Sequence, residues 1–568
     1  MATELTCEAD TTATEARADG TVLGKVLYAL LFTLVLPLGL GLWAHRTAGL
    51  ACGPAFEHTT AGGVLISTGS LLVVLGWWAL FRHGGGLPMN AFPPPRHVDS
   101  GVYGVLAHPI YLGAVLTVAG VSLVVGSASG LWLVTPLFAL AAAALVLGHE
   151  LPRLRARFGE QALAGLNPPE AKAGPASLRE RGSYVVHVLL PWGAWVSLGA
   201  LGRASLPTLV WGPLLVVLGT PPLLSSRRLL AYAWHLHRRA LGASVLLSFA
   251  TGPLAPAQTL AQLSLAFLLG ALGSRLWEVA RTLSERIANS WREWRIGPVR
   301  LINHGLYAGL ATAGGVAIAS ALVGASGRSA VAIATLGGLI GAGLWAQLIE
   351  GSTRLSRPFG FYGGLLGVLL TCWVAAPWLG SSRWLVLAAF CTAAPFVQSV
   401  GRLRCLVQGC CHGRAAPATI GIRHTHPRSR VVRLSELGGV PVHPTALYSI
   451  LWNALIALVL VRAWSAEWPL HAICGLYLFL GGAGRFVEEA YRGEPQTPVA
   501  FGLRLYQWAA IASVILGAAC MSLGTSGPTP APSWLDANLF HALTLGALVG
   551  AALGVDFPES NRRLSRLA

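Results

Sequence analysis

The chain has 568 residues, 54% of them hydrophobic and 11% charged, with a mean hydropathy of +0.60. That balance excludes a water-soluble globular enzyme. The formal charge of +17, from 40 basic against 23 acidic residues, rests almost wholly on arginine, since Lys25 and Lys172 are the only lysines. The arginines sit in short connectors between apolar runs, where anionic lipid head groups lie, so membrane lipids and not nucleic acid are the partner the charge implies.

Residues 1–24 form an acidic, polar tail without the basic region and early apolar core of a signal peptide, so no cleavage is expected there. Apolar runs then recur near 25–43, 61–81, 109–125, 131–148, 184–202, 207–223, 258–274, 305–324, 329–349, 361–379, 384–399, 444–462, 468–484, 504–523 and 537–554. Runs of about 20 apolar residues span a hydrocarbon core as helices. The expected fold class is therefore an all-α, polytopic integral membrane protein with about 14–16 transmembrane helices in two fused modules. The expected domains are the tail 1–24, a membrane module 25–182, a connecting helical bundle 183–274, a second module 275–525, and an extra helix with a basic tail over 526–568. Longer polar interruptions fall at 82–109, 149–183, 275–303, 401–444 and 485–503, and chemistry is sought there.

Interruptions 82–109 and 149–183 are separated by two spans and share one side of the membrane. The arginines of the second place both in the cytoplasm. They carry GVYGVLAHPIYLG from Gly101, preceded by Pro93, Pro94 and Pro95, and HELPRLRARFGE from His149. This order resembles the membrane methyltransferases of the isoprenylcysteine carboxyl methyltransferase and phospholipid methyltransferase group. The resemblance implies S-adenosylmethionine as cofactor, lined by Tyr103, His108, Pro109, Tyr111, Gly113 and Glu150. A carboxylate suits the cofactor's ribose hydroxyls or amino group, and a histidine its polar end. Two positions depart from the family pattern: Ala107 stands where it has arginine, and Ala162 where it has tyrosine.

The second module reads IGPVRLINHGLYAG from Ile296, RPFGFYGGLLG from Arg357, GRLRCLVQGCCHGR from Gly401, VPVHPTALY from Val440, GGAGRFVEEAYR from Gly481 and GLRLYQW from Gly502. Arginine is suited to holding a lipid phosphodiester at the membrane boundary, because its planar fork pairs two oxygens and stays charged. Arg402 and Arg485 follow apolar runs and are expected to project from helix ends toward one site. The six motifs in this order resemble the prolipoprotein diacylglyceryl transferase family over about Arg295 to Leu523.

That family moves the diacylglyceryl group of phosphatidylglycerol onto a lipobox cysteine thiol and leaves glycerol phosphate. The resemblance implies no cofactor for this half. It also implies phosphatidylglycerol, a prolipoprotein lipobox peptide and membrane lipids as partners, and the bacterial cytoplasmic (inner) membrane as location. Arg402, Arg485, His304, Tyr362 and His443 are the expected catalytic residues. Gly363, Gly364, Cys405, Gly413, Tyr448 and Glu488 are the expected substrate contacts. Tyr362 and His304 stand where the family has histidine and tyrosine, and the exchange is expected to keep one base and one hydroxyl in one pocket. Cys405 replaces an asparagine and Ser449 a glutamate. Two alternatives stay open: a lipid-modifying enzyme with another acceptor, and an inactive scaffold that binds phosphatidylglycerol.

The spacing of Cys405, Cys410, Cys411 and His412 fits neither standard zinc pattern, so no metal is expected. The interruption 275–303 carries six arginines, although the family's topology places it outside the cytoplasm. Leu276, Leu283, Ile287, Trp291 and Trp294 recur there at helical spacing, which predicts an amphipathic helix lying on the membrane.

Overall fold

Heptad-spaced glycines organise the first helix pair. Gly62, Gly69 and Gly76 lie on one face of α2 (Thr59–Gly84), which packs along α3 (Pro109–Val124). A Cβ at Gly69 would stand 2.5 Å from the carbonyl oxygen of Gly113. Lipid tails give helices no hydrophobic reason to associate, so close backbone approach through small residues supplies the packing. The computed structural model describes residues 22–50, 55–159, 180, 184, 188, 227–251, 256–350, 360–493, 498–524, 526–534 and 539–559. Nearly all of the expected spans 184–202 and 207–223, and Ala162, lie outside the described residues.

Tertiary contacts divide the chain into two units, Met1–Ala243 with Ala266–Gly270, and Ser244–Leu265 with Ala271–Ala568. The first unit contains α1 (Val22–Arg46), α2, α3 and α4 (Gly130–Phe158). Within α4 a wide π-type turn, Val146–Glu150, ends on Glu150. Such turns displace a side chain from the ordinary helical register and recur at functional sites. Helix α5 (Arg227–Thr251) follows, then α6 (Pro256–Ala288).

The second unit continues with strands β1 (Glu293–Ile296) and β2 (Val299–Ile302), which form a hairpin turning at Gly297 with φ +58°. Next come α7 (His304–Val323), α8 (Arg328–Glu350), α9 (Phe361–Trp378) and α10 (Arg383–Gln408). A loop with β3 (Ile422–Arg423), the short α11 (Arg430–Leu434) and β4 (Pro441–Val442) leads to α12 (Thr445–Ser465) and α13 (Leu470–Ala490). The chain closes with β5 (Val499–Ala500), β6 (Leu503–Arg504), α14 (Leu505–Met521), α15 (Leu539–Gly554) and β7 (Val555–Asp556).

Among the described residues, eight helices (α1, α2, α4, α7, a segment covering most of α8, α10, α12 and α13) are long and apolar enough to cross a membrane, and α3, most of α9, α14 and α15 are shorter apolar helices. The protein is a multi-pass, mainly helical membrane protein. Helix α13 is central to its unit: 72% of its apolar window is buried within the protein, against 50% or less for each of the other seven. It is therefore the helix on which charge is best shielded from lipid.

Three expectations are corrected. The predicted surface helix through Trp294 stops at Ala288; Trp291 is buried with Ile302 and Val407, and Trp294 lies on β1. Polar residues at the end of α6 dock a loop: Arg281 donates to the carbonyl of Gly421 (3.4 Å), Glu285 accepts the amide of Arg423 (3.0 Å), and Asn289 accepts the amide of Thr425 (2.7 Å). Second, α10 runs on to Gln408, so Arg402 sits within a helix and not beyond its end. Third, the expected appended helix belongs to the second unit. Helix α15 packs on α7 through Gly305, Gly309, Gly546 and Gly550, and β7 adds to β2 with Arg300 opposite Asp556.

Candidate functional site

Helix α13 carries Arg485, Glu488 and Glu489, with both carboxylates one turn beyond the arginine on the same face, and Arg492 follows just after the helix ends at Ala490. Arg485 pairs with Glu488 at 3.1 Å and Glu489 at 2.7 Å, and Arg492 pairs with Glu488 at 3.0 Å. Arg402 reaches over from α10, its Nη2 3.2 Å from Glu488 and its Nε donating to Ser449 Oγ of α12 at 3.0 Å. Arg504, at the start of α14, approaches Glu489 at 3.7 Å. Two helices and a helix start thus meet on two carboxylates, and Ser449 of a third helix holds Arg402.

Four guanidinium groups against two carboxylates leave a surplus of two positive charges. Glu489 is fully buried and Glu488 7% exposed, whereas the side chains of Arg402, Arg485 and Arg504 keep 17%, 14% and 29% exposure. The carboxylates are structural anchors, and the guanidinium groups retain an open side. Burying ions in a membrane protein is costly, and a net surplus persists where it meets an anion. Tyr506 stacks on Tyr362 (5.7 Å between centroids, 13°) and lies under the Arg485 guanidinium (5.2 Å).

His443, just before α12, pairs through Nδ1 with Tyr448 Oη at 3.1 Å. Its backbone bridges the loop after α10, with Gly413 donating to the His443 carbonyl at 3.1 Å. Gly413 is required here, since a Cβ would stand 2.5 Å from that carbonyl oxygen. Tyr448 stacks on Trp277 of α6 at 6.3 Å. A cavity beside them is lined by Cys405, Cys411, His412, His424, His443 and Thr445. Burial holds His412 below the ordinary imidazole value and pushes His424 down to about 4. Hydrogen bonds from Cys405 and Cys410, joined by the guanidinium groups of Arg492 and Arg402, hold the Cys411 thiol well below its usual range.

The structure brings Arg402, Arg485, Glu488 and Tyr362 to one cluster, and Cys405, Gly413, His443 and Tyr448 to the neighbouring cavity. It does not bring His304 there. His304 is fully buried, edge-on to Trp291 at 5.0 Å, with neither ring nitrogen hydrogen-bonded among the described residues. The expected exchange of His304 and Tyr362 within one pocket is therefore corrected: the two occupy different places. Gly363 and Gly364 also have another role. They face α8, where a Cβ at Gly363 would meet the Gly341 carbonyl oxygen, so Gly363 allows close helix packing. Sequence reasoning missed Glu489, Arg492, Arg504 and Tyr506; the helical spacing of charge around Arg485 was the available signal for the first two.

In the first unit, Tyr103, His108, Tyr111 and Glu150 converge. His108 Nδ1 lies 3.8 Å from Glu150, the rings of His108 and Tyr111 are edge-on at 6.1 Å, and Tyr103 and Tyr111 both feel the Glu150 charge. Asn90, missed in the sequence, donates its side-chain amide to Tyr111 Oη at 2.6 Å and its backbone N–H to Tyr28 Oη at 3.1 Å. Arg153 donates to the Asn90 carbonyl at 3.4 Å.

Comparison with known proteins agrees with this division. Residues 292–523 match the family model of prolipoprotein diacylglyceryl transferase, and residues 58–161 match that of phospholipid methyltransferase. The chain is thus similar to two families, each over part of its length. Curated relatives named phosphatidylglycerol–prolipoprotein diacylglyceryl transferase include one from Clostridium tetani, 24% identical over 197 residues, covering 33% of this chain and 75% of that protein. Another, from Solidesulfovibrio magneticus, is 30% identical over 161 residues, covering 28% and 58%. A relative from Clostridium perfringens with the same name and the number 2 is 25% identical over 162 residues, covering 27% and 60%.

Proposed function

We propose that the second unit is a phosphatidylglycerol-dependent diacylglyceryl transferase acting on a prolipoprotein cysteine at a bacterial cytoplasmic membrane. The observation that carries this reading is the surplus of guanidinium charge gathered on Glu488 and Glu489, partly open and placed among apolar helices. Arg402 and Arg485 pair the phosphate oxygens of the donor, neutralising the charge that builds as the phosphate leaves. The acceptor sulfur bonds to the terminal glyceryl carbon, the bond from that carbon to the phosphate oxygen breaks, and glycerol phosphate departs with the electron pair. His443 takes the thiol proton, its ring oriented by Tyr448.

The first unit is read as a methyltransferase-like module. Glu150, His108, Tyr103 and Tyr111 form a donor set that fits the amino and ribose groups of S-adenosylmethionine, a cofactor that when bound supplies an electrophilic methyl group. The convergence of all four on the end of a π-type turn supports this reading. Its methyl acceptor has no counterpart among these residues.

The test is transfer of labelled diacylglycerol from phosphatidylglycerol to a lipobox peptide by the full chain in detergent. Label on the peptide cysteine is expected. No transfer to any thiol acceptor, with phosphatidylglycerol still bound, overturns the enzymatic reading in favour of a lipid-binding scaffold.

A further inference from the structure

The sulfur atoms of Cys405, Cys410 and Cys411 lie within 4.8 Å of one another, and those of Cys410 and Cys411 are 3.8 Å apart. No step of the proposed transfer uses them. Sulfur ligands each about 2.3 Å from one ion stand roughly 3.8 Å apart in a tetrahedral site and about 4.0 Å apart in a trigonal one. The Cys410–Cys411 separation is already that of two ligands of one ion, and small side-chain rotations close the two edges to Cys405.

The backbone explains how a spacing unlike the usual zinc patterns produces this. Helix α10 ends at Gly409, whose φ of +70° turns the chain back so that Cys410 and Cys411 return over Cys405 in the last helical turn. Side chains would strain there, and a Cβ would also meet Ser429 Oγ. The cluster lies at the C-terminal end of a 26-residue helix, where outward-pointing carbonyls favour a cation. Three thiolates and a divalent ion leave one negative charge. His412 does not supply the fourth ligand: its Nδ1 faces the Gly409 carbonyl at 3.1 Å and its Nε2 faces Ser435 Oγ at 3.0 Å. Cys405 and Cys411 also line the cavity that holds His443.

We propose that Cys405, Cys410 and Cys411 form a three-thiolate site for a thiophilic divalent ion, zinc, which fastens the loop from Gly409 to Gly413 onto the end of α10. The loop so fixed holds Gly413 against the His443 backbone, and Arg402 lies one turn before Cys405. The ion is a positioning element of the site and reacts with nothing.

The experiment uses the full chain purified in detergent under reducing conditions, loaded with zinc and dialysed. One zinc per chain is expected by elemental analysis, with at least tenfold weaker binding in Cys410→Ser and Cys411→Ser and unchanged binding in Cys372→Ser, which alters a buried thiol on α9. Cobalt replacing zinc in the unsubstituted chain is expected to show thiolate-to-metal charge transfer and the intense visible bands of a tetrahedral site, a readout independent of how the variants fold. The proposal is overturned if the unsubstituted chain retains neither ion, if the serine variants bind equally well, or if mass spectrometry finds Cys410 and Cys411 joined as a disulfide in protein prepared without oxidant.

Discussion

Arg402 on α10 and Glu488 on α13 are 3.2 Å apart, so a guanidinium group from one helix is fixed by a carboxylate from another. Glu488 also receives Arg485 and Arg492, and this sharing keeps any single guanidinium from being fully neutralised. The consequence is a rigid pair of forks, Arg402 and Arg485, with charge left over for an anion.

Arg402→Lys and Arg485→Lys keep the charge and lose the planar fork, so transfer is expected to fall about tenfold or more in each. Arg462→Lys, at the end of α12, is expected to leave the rate unchanged. Both residues act on one phosphate, so the double variant is expected to cost less than the sum of the singles. Initial rates of labelled diacylglycerol transfer check all four. Near-full rates in both single variants would remove these arginines from the mechanism.

Arg300 and Asp556 form a buried, two-bonded pair at 2.8 and 2.5 Å that ties β7 to β2. Asp556→Asn leaves the Arg300 charge without its main partner, and breaking such a pair costs about 3–5 kcal/mol. The expected result is a lower thermal midpoint in detergent and faster proteolysis after α15. Because the pair lies on the sheet and not in the arginine cluster, the transfer rate of the protein that remains folded should not change.

His424 is buried and its pKa is pushed down to about 4 from an ordinary 6.5, first by burial and then by His412. The unfolded chain therefore binds the proton at a higher pH than the folded one. The stability due to neutral His424 is fully present above pH 6.5 and is lost as pH falls from about 6.5 to about 4, by roughly 3 kcal/mol in all. His424→Gln should flatten that part of the profile. Thermal midpoints across this pH range, with and without the substitution, test it.

Glu150 sits among Tyr103, His108 and Tyr111 at the end of the π-type turn of α4. Calorimetry with S-adenosylmethionine is expected to show binding that Glu150→Ala weakens about tenfold or more, the loss of a charge-assisted hydrogen bond in a buried site. Absence of heat with the unsubstituted chain at millimolar cofactor would dismiss the methyltransferase-like reading.

Much of the site was legible one residue at a time. Arg402, Arg485 and Glu488 stand in short, charge-bearing runs between apolar segments, and an ion there has few structural reasons to exist. Arg492 was legible only as a seven-residue spacing from Arg485, because the predicted apolar run stops at 484 and the residue lies beyond the end of α13. His304 was misplaced for the opposite reason: its neighbours in sequence say nothing of Trp291, which reaches it from the segment between α6 and β1. The glycines at 363 and 364 were assigned to a ligand because sequence shows a small residue but not what approaches it.

The sequence by itself determined that this protein is helical and crosses a membrane several times, because hydropathy over about 20 residues is a local property that the bilayer reads directly. It also determined which two families the chain resembles, through ordered motifs. Only the tertiary structure decided which charges meet. Arg402, Ser449, Glu488 and Arg504 come from four separate helices or helix starts, and their register depends on where glycines let those helices approach, as at Gly475 and Gly517 between α13 and α14. Likewise Cys405 meets Cys410 and Cys411 only because Gly409 turns the chain left-handed at the end of α10. Pairings of this kind are set by distances across the bundle, which no local pattern of residues encodes.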